Sequence, residues 1–464
     1  MKRKISYTRD FIETIDYLLM DEYNSLTERK DFLALLSKIE MMMSYDENET
    51  AWFEKLNLRE YFGRVSVPSS QFEGSSFPSS NRTINNNNDK DRVETVSVPI
   101  VDPSLPENSN LNHTGNTNEQ LQKPKKKRVY KLDILLKKLE EKNIIYQTAY
   151  DRHSHKTRRY FFSSLFELEC QNKELGIVKE DLPERYQKLL LKETSVPKEK
   201  HLRVQYDLLK SQRFQIDLES AIQWIDDQYQ KNLITFNQKR AYLRAALSLE
   251  DKLIFTVEGA KGGRVFTNFN SIKRELRQFC TIDGQRLMSV DLKSSQPYLM
   301  AQHMNRQWPK ESRSFYDTVT KDDIYIFFLK KWNEANPSGF YREFNLLKNK
   351  MEDIYLNTRD DIKPEYLKLM FKVRGRKPAL DDVFKAEFPF VYEKVQEQKE
   401  ELAAQLQREE SDLFIPICTE FADLGCLSVH DSLAFKPELK SIILNRLSQR
   451  FAYKGYKDFV LKED

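Results

Sequence analysis

The stretches Leu287-Met-Ser-Val-Asp-Leu-Lys-Ser-Ser-Gln296-Pro and Leu427-Ser-Val-His-Asp-Ser-Leu-Ala-Phe435 decide how this chain is read. In each, a short apolar run of β type ends at one aspartate, Asp291 or Asp431, where the strand pattern breaks. Two carboxylates delivered to one place by two strands can hold a pair of divalent cations. That arrangement braces the attacking and leaving oxygens of a phosphoryl displacement. A single strand-terminal Asp is more often a turn former or a helix cap, so neither segment is decisive alone.

Around these segments lies a chain of 464 residues, long enough for two or three domains and a substantial core. Its 39% apolar, 12% aromatic and 31% charged residues describe a soluble globular protein diluted by a polar segment. No run of about 18 apolar residues occurs, so neither a transmembrane helix nor a membrane partner is expected. The basic start runs into Asp10, Glu13 and Asp16 rather than into the apolar core of a signal peptide. Cys170, Cys280, Cys418 and Cys426 lack CxxC spacing, which argues against a disulfide framework or zinc finger and fits a reducing cytoplasm.

Residues 1–63 read as a helical N-terminal unit, with Phe11, Ile15, Leu18 and Leu19, then Phe32, Leu35, Leu36 and Ile39, at helical spacing. This unit is a candidate site for replication partners and holds no carboxylate constellation of the kind a proofreading exonuclease needs. Residues 64–123 are rich in Ser, Asn and Pro and cannot bury enough apolar area to offset their ordering entropy, so they read as a disordered linker.

Residues 124–200 are the basic part. Between Lys123 and Phe162 there are 13 Lys/Arg against 4 Asp/Glu, a charge balance that attracts a phosphate backbone through counterion release. Lys125, Lys126, Lys127 and Arg128 read as electrostatic contacts rather than as an import signal. A helix with Leu132, Leu135, Leu136 and Leu139 on one stripe precedes two strands, around Ile144–Tyr146 and Arg159–Phe162. The bend between them carries Arg152 and Arg158 beside Arg159. Helix and hairpin are equally the recognition helix and wing of a winged-helix-like module, or an αββ piece of a larger fold. His153, His155 and Cys170 lack a fourth ligand and do not make a metal site.

Taken in order, four segments over residues 255–464 resemble the shared core of family A DNA polymerases and the phage-type single-subunit RNA polymerases. Gly262-Gly263-Arg264-Val265-Phe266 is similar to the Gly-Arg element, which implies that Arg264 contacts a nucleic-acid phosphate. The Asp291 segment resembles motif A. The resemblance implies that Asp291 binds both metals and that Gln296, five positions on, senses the ribose 2′ position. The DNA polymerases usually carry Glu there and the RNA polymerases Gly.

Arg359-Asp-Asp-Ile-Lys363-Pro-Glu-Tyr-Leu-Lys-Leu-Met-Phe371 is similar to motif B. The resemblance implies that Arg359 and Lys363 neutralise the triphosphate and that Phe371 stacks near the nascent pair. Pro364 costs roughly 3 kcal/mol inside a helix and little at its first position, so the helix is expected to begin near Pro364. Arg359 then leaves its face, and Lys368 or Lys372 becomes the phosphate contact. Ser428-Val-His-Asp-Ser432 resembles motif C, implying a hairpin bend that sets Asp431 across from Asp291 with His430 near the primer end.

The resemblance thus implies an α+β, mostly helical right-hand polymerase core at 263–464, with an antiparallel palm sheet and fingers over about 301–411. A helical thumb-like region precedes it at 201–262. The expected activity is template-directed nucleotidyl transfer with two Mg²⁺ ions, acting on a DNA primer–template and nucleoside triphosphates. Gln296 and Phe371 favour a DNA polymerase, whereas Ser432 and Asp323-Ile-Tyr325 favour an RNA polymerase or primase-like enzyme. A catalytically inactive nucleic-acid-binding replication protein is the rival of another class.

Overall fold

Period-two alternation puts both aspartate segments into one sheet. The computed structural model describes residues 3–22, 26–44, 64–68, 126–147, 160–171, 173, 175–182, 196–259, 262–345, 350–371 and 378–463. Within it Cys426–Val429, Ser432–Phe435, Met288–Leu292 and Leu461–Glu463 lie side by side, in that order, in an antiparallel four-stranded sheet. The register pairs Met288 with Phe435 and Asp291 with Ser432. Val290, Leu292, Cys426, Leu433 and Phe435 enter the core shared with the C-terminal helices. Leu427, Val429 and Ala434 enter a second core with Leu208, Phe214, Leu243, Phe269 and Ile282. Because Val290 and Leu292 face the first core, Asp291 stands on the opposite face.

The fold is α+β and mostly helical, with small antiparallel sheets. Between the two aspartates run the helices Ser295–Gln307, Arg313–Lys321, Ile324–Ala335, Arg359–Phe371, Asp381–Glu387 and Pro389–Phe421, with a hairpin of Phe340–Asn345 and Lys350–Tyr355 among them. Pro297 falls in the first turn of its helix, where a missing N–H costs nothing. The long helix Pro389–Phe421 buries Leu402, Leu406, Leu413, Ile417 and Phe421. Its interior Pro416 has no N–H for the Asp412 carbonyl. Arg450 Nε donates to that carbonyl instead, at 2.7 Å.

One expectation fails here. The motif-B helix begins at Arg359, five residues before Pro364. Asp361 Oδ2 accepts from the backbone N–H groups of Asn357 and Thr358 at 3.1 and 2.9 Å, and Thr358 Oγ1 accepts from Asp361 N at 3.2 Å. This reciprocal cap starts the helix before the proline, which then costs a single internal hydrogen bond.

The N-terminal helices pack with later parts of the chain. Phe11, Ile15, Leu19, Phe32, Leu35, Leu36 and Ile39 form the expected stripes, but they share one core with Leu132, Leu135, Leu136, Leu139, Phe162 and Phe166. Strand Arg3–Thr8 pairs antiparallel with Ile177–Leu182. The described residues between 3 and 44 therefore share a core with residues further along the chain. The helix Lys131–Glu141 and the hairpin Ile145–Gln147/Tyr160–Phe162 are part of this larger layer. Arg64–Pro68, at the start of the segment read as linker, is a strand paired with Lys126–Tyr130. Residues 69–125 lie outside the described residues.

Two buried arginines of the helix Phe236–Glu250 join this layer to the rest. Arg240 donates to Glu40 at 2.7 Å and to Thr8 at 3.0 Å, with Asp10 at 3.3 Å, and Arg244 donates to the Ser6 carbonyl at 3.0 Å. Among the described residues no helix is long and apolar enough to cross a membrane.

Candidate active site

Asp291 comes from the strand Met288–Leu292, and Asp431 from the two-residue turn between Cys426–Val429 and Ser432–Phe435. The neighbouring strands bring them together: Leu292 N donates to the Asp431 carbonyl at 3.2 Å. His430 makes the turn with φ +52°, a left-handed conformation uncommon outside glycine. Ser432 Oγ closes it on the Val429 carbonyl at 2.8 Å. That hydroxyl is committed to the turn, so it gives no weight to ribonucleotides.

The electrostatics are those of crowded carboxylates. Burial, then the neighbouring charges of Glu410 and Asp291, push the Asp431 carboxyl from 3.8 up to about 7. Asp291 Oδ1 is buried with no hydrogen-bond partner among the described residues. Burial and the nearby Arg264 and Arg277 cations push His430 down to about 4, so its ring is neutral at pH 7. That ring packs edge-on against Phe266 at 5.3 Å, and its Nδ1 is buried with no partner among the described residues.

The Gly-Arg turn is built against the long helix. A Cβ on Gly262 would lie 2.5 Å from Gln407 Oε1, and Gly263 takes φ +65°. Ser411 Oγ donates to the Gly262 carbonyl at 3.0 Å. Arg264 is turned onto the long helix. Its Nε and Nη2 each lie 2.8 Å from Glu410 Oε1. Glu410 also accepts from Ser295 Oγ at 2.9 Å and from Gln296 Nε2 at 2.5 Å, both through Oε2. Glu410 is the residue that sequence reasoning missed. Its signal was available, because it occupies a charged position in the apolar stripe Leu402, Leu406, Leu413, Ile417.

On the fingers side, Arg359 Nε donates to Asp323 Oδ2 at 2.9 Å, and its guanidinium lies over the Tyr325 ring at 4.9 Å. Asp323 also caps its own helix through Tyr325 N and Ile326 N. Asp323 and Tyr325 thus have structural work that is independent of the sugar. Burial raises the Tyr325 hydroxyl pKa, Arg359 opposes the rise, and the Asp431 charge adds to it, which links this corner to the aspartates.

Lys363 is exposed, and Lys368 pairs with Glu365, which also accepts from the Tyr341 hydroxyl at 3.0 Å. Phe371 ends its helix, and its side chain lies outside the described residues, as does Lys372. Lys126, Lys127 and Arg128 lie on the strand Lys126–Tyr130. Lys125, Arg152, Arg158 and Arg159 fall outside the described residues.

The donor set fits hard divalent cations. An orphaned aspartate oxygen and a second aspartate strained toward neutrality are what a bound cation relieves. Among the described residues no set of three or more His, Cys, Asp or Glu side chains forms a metal cluster. Glu410 is occupied by Arg264, Ser295 and Gln296, which leaves Asp291 and Asp431 as the carboxylates here that could hold a cation.

No family model and no curated protein matches this chain. Among solved structures, the POL domain of Pol1 from M. smegmatis, in complex with DNA primer–template and dNTP, aligns at 14% identity with a TM-score of 0.32. The alignment covers 52% of this chain and 55% of that one, and a likeness this slight bears on neither fold nor function.

Proposed function

We propose that this chain is a template-directed nucleotidyltransferase, a DNA polymerase of family A type without a proofreading exonuclease. One observation carries the reading. Two aspartates 140 residues apart in sequence meet, one on a strand and one in the adjoining hairpin turn, with one oxygen unmatched among the described residues and one ionisation suppressed. Crowding two carboxylates beside a third is unfavourable without a cation, and sites with perturbed carboxylates are disproportionately functional.

In this reading Asp291 and Asp431 hold two Mg²⁺ ions, which when bound lower the pKa of a primer 3′-hydroxyl and brace the departing pyrophosphate. The remaining work belongs to side chains. Arg359 exchanges Asp323 for the triphosphate, joined by exposed Lys363, and Lys368 exchanges Glu365 in the same way. Neutral His430 orients the primer end without adding a positive charge beside the aspartates. Lys125 to Arg128 and Arg152, Arg158 and Arg159 hold the nucleic-acid backbone in a salt-dependent way.

Deoxynucleotides are the preferred substrates here. Gln296 is bulky, Phe371 has no hydroxyl with which to feel a ribose, and Ser432 and Asp323, which had pointed to ribonucleotides, are occupied elsewhere. A primer–template extension assay with Mg²⁺, run in parallel with dNTPs and NTPs, tests the reading. The expected result is extension that favours dNTPs. Salt-sensitive DNA binding with no incorporation from either set would make the chain a non-catalytic binding protein. Preference for NTPs would make it an RNA polymerase or primase-like enzyme.

A further inference from the structure

Glu410 is a third buried carboxylate beside the two aspartates. A carboxylate in an apolar stripe is costly to bury unless its oxygens are matched. Here both are: Oε1 by the Arg264 guanidinium, and Oε2 by Ser295 and Gln296. An ionised carboxylate only accepts hydrogen bonds, so whatever faces it must donate. Gln296 therefore turns its NH₂ group to Glu410. Its carbonyl oxygen is left buried, with no partner among the described residues, on a side chain that is 8% exposed. Unmatched buried acceptors are rare in folded proteins and call for an explanation. Gln296 is the second residue of the helix that follows the Asp291 strand, with only Lys293 and Ser294 between strand and helix.

We infer that Glu410 is a positioning residue that holds the Gln296 side chain as a hydrogen-bond acceptor for a hydroxyl of the nucleotide sugar. The inference rests on the nucleotidyl-transfer reading above and adds a specificity element to it. Glu410 decides which end of the Gln296 amide is free, and a sugar hydroxyl supplies the donor that the carbonyl oxygen lacks. Substituting Glu410→Gln keeps the shape but can present an NH₂ group. Gln296 then turns over, and the free end becomes a donor.

The test is single-nucleotide incorporation by the full chain with Mg²⁺, comparing dNTP, NTP and ddNTP. These sugars form two pairs that differ by one hydroxyl, NTP with dNTP at the 2′ position and dNTP with ddNTP at the 3′ position. For one of these pairs the ratio of kcat/KM is expected to change about tenfold in Glu410→Gln, and similarly in Gln296→Leu. The double variant should change no further, because both substitutions remove the same acceptor.

Equal losses on all three nucleotides, or additive effects, would make Glu410 a structural ion pair and overturn the inference. Should Glu410→Gln fail to fold, Gln296→Leu leaves the Arg264–Glu410 pair in place and reads the same ratio. There, an unchanged ratio overturns the inference and a tenfold change supports it. A wild-type chain that incorporates nothing overturns the nucleotidyl-transfer reading and this inference together. An active wild type with unmoved ratios overturns this inference alone.

Discussion

His430 and Asp431 are consecutive, and burial drives their protonation in opposite senses. Asp431 has its pKa raised from 3.8 to about 7, so the stability it contributes is full below pH 3.8 and is lost as pH rises toward 7. His430 has its pKa lowered from 6.5 to about 4, so its contribution is present above pH 6.5 and is lost as pH falls toward 4. The two slopes oppose each other across that window. In chelator-treated protein, Asp431→Asn should leave a Tm that climbs with pH between about 4 and 6.5. His430→Gln should leave one that falls between about 4 and 7. Scanning calorimetry across pH checks both, and slopes of the same sign in the two variants would contradict the assignment. Both residues are legible in the sequence because each is announced by a local strand break. Glu410 is legible only as a charge in an apolar stripe, and its partners are not, because Arg264, Ser295 and Gln296 lie more than 100 residues away in the chain.

Among the elements, the helix Arg359–Phe371 separates what local rules reveal from what they hide. Its apolar positions are readable from periodicity, but its start is not, because the Thr358–Asp361 cap outweighs the proline. That cap keeps Arg359 in the helix and within reach of Asp323. Pro364 is exposed, so Pro364→Ala changes little but backbone hydrogen bonding. It should stabilise the chain by about 1–3 kcal/mol, seen as a higher urea midpoint with an unchanged slope. Thr358→Ala should act in the other direction by about 1 kcal/mol and weaken triphosphate binding through Arg359. A neutral Thr358→Ala would remove the cap from this account.

At the scale of the whole molecule, the sequence yields the stripes of the N-terminal helices but not their common core. That core joins residues far apart in the chain, and the charges that seal it, Arg240 with Asp10 and Glu40, are about 200 residues apart. Arg240 is 1% exposed, so Arg240→Ala leaves two buried carboxylates without their cation. A loss of about 3–5 kcal/mol is expected, read by denaturation and by earlier proteolysis of the N-terminal layer. A loss under about 1 kcal/mol would mean that the layer is held without this pair. The central claim concerns the other end of the molecule, where two strands join Asp291 and Asp431. Primer extension by Asp291→Ala and by Asp431→Ala, measured beside DNA binding on the same samples, tests it most directly. Extension should fall by at least about 1,000-fold in each with binding nearly unchanged, whereas near-normal extension by either variant would contradict the account.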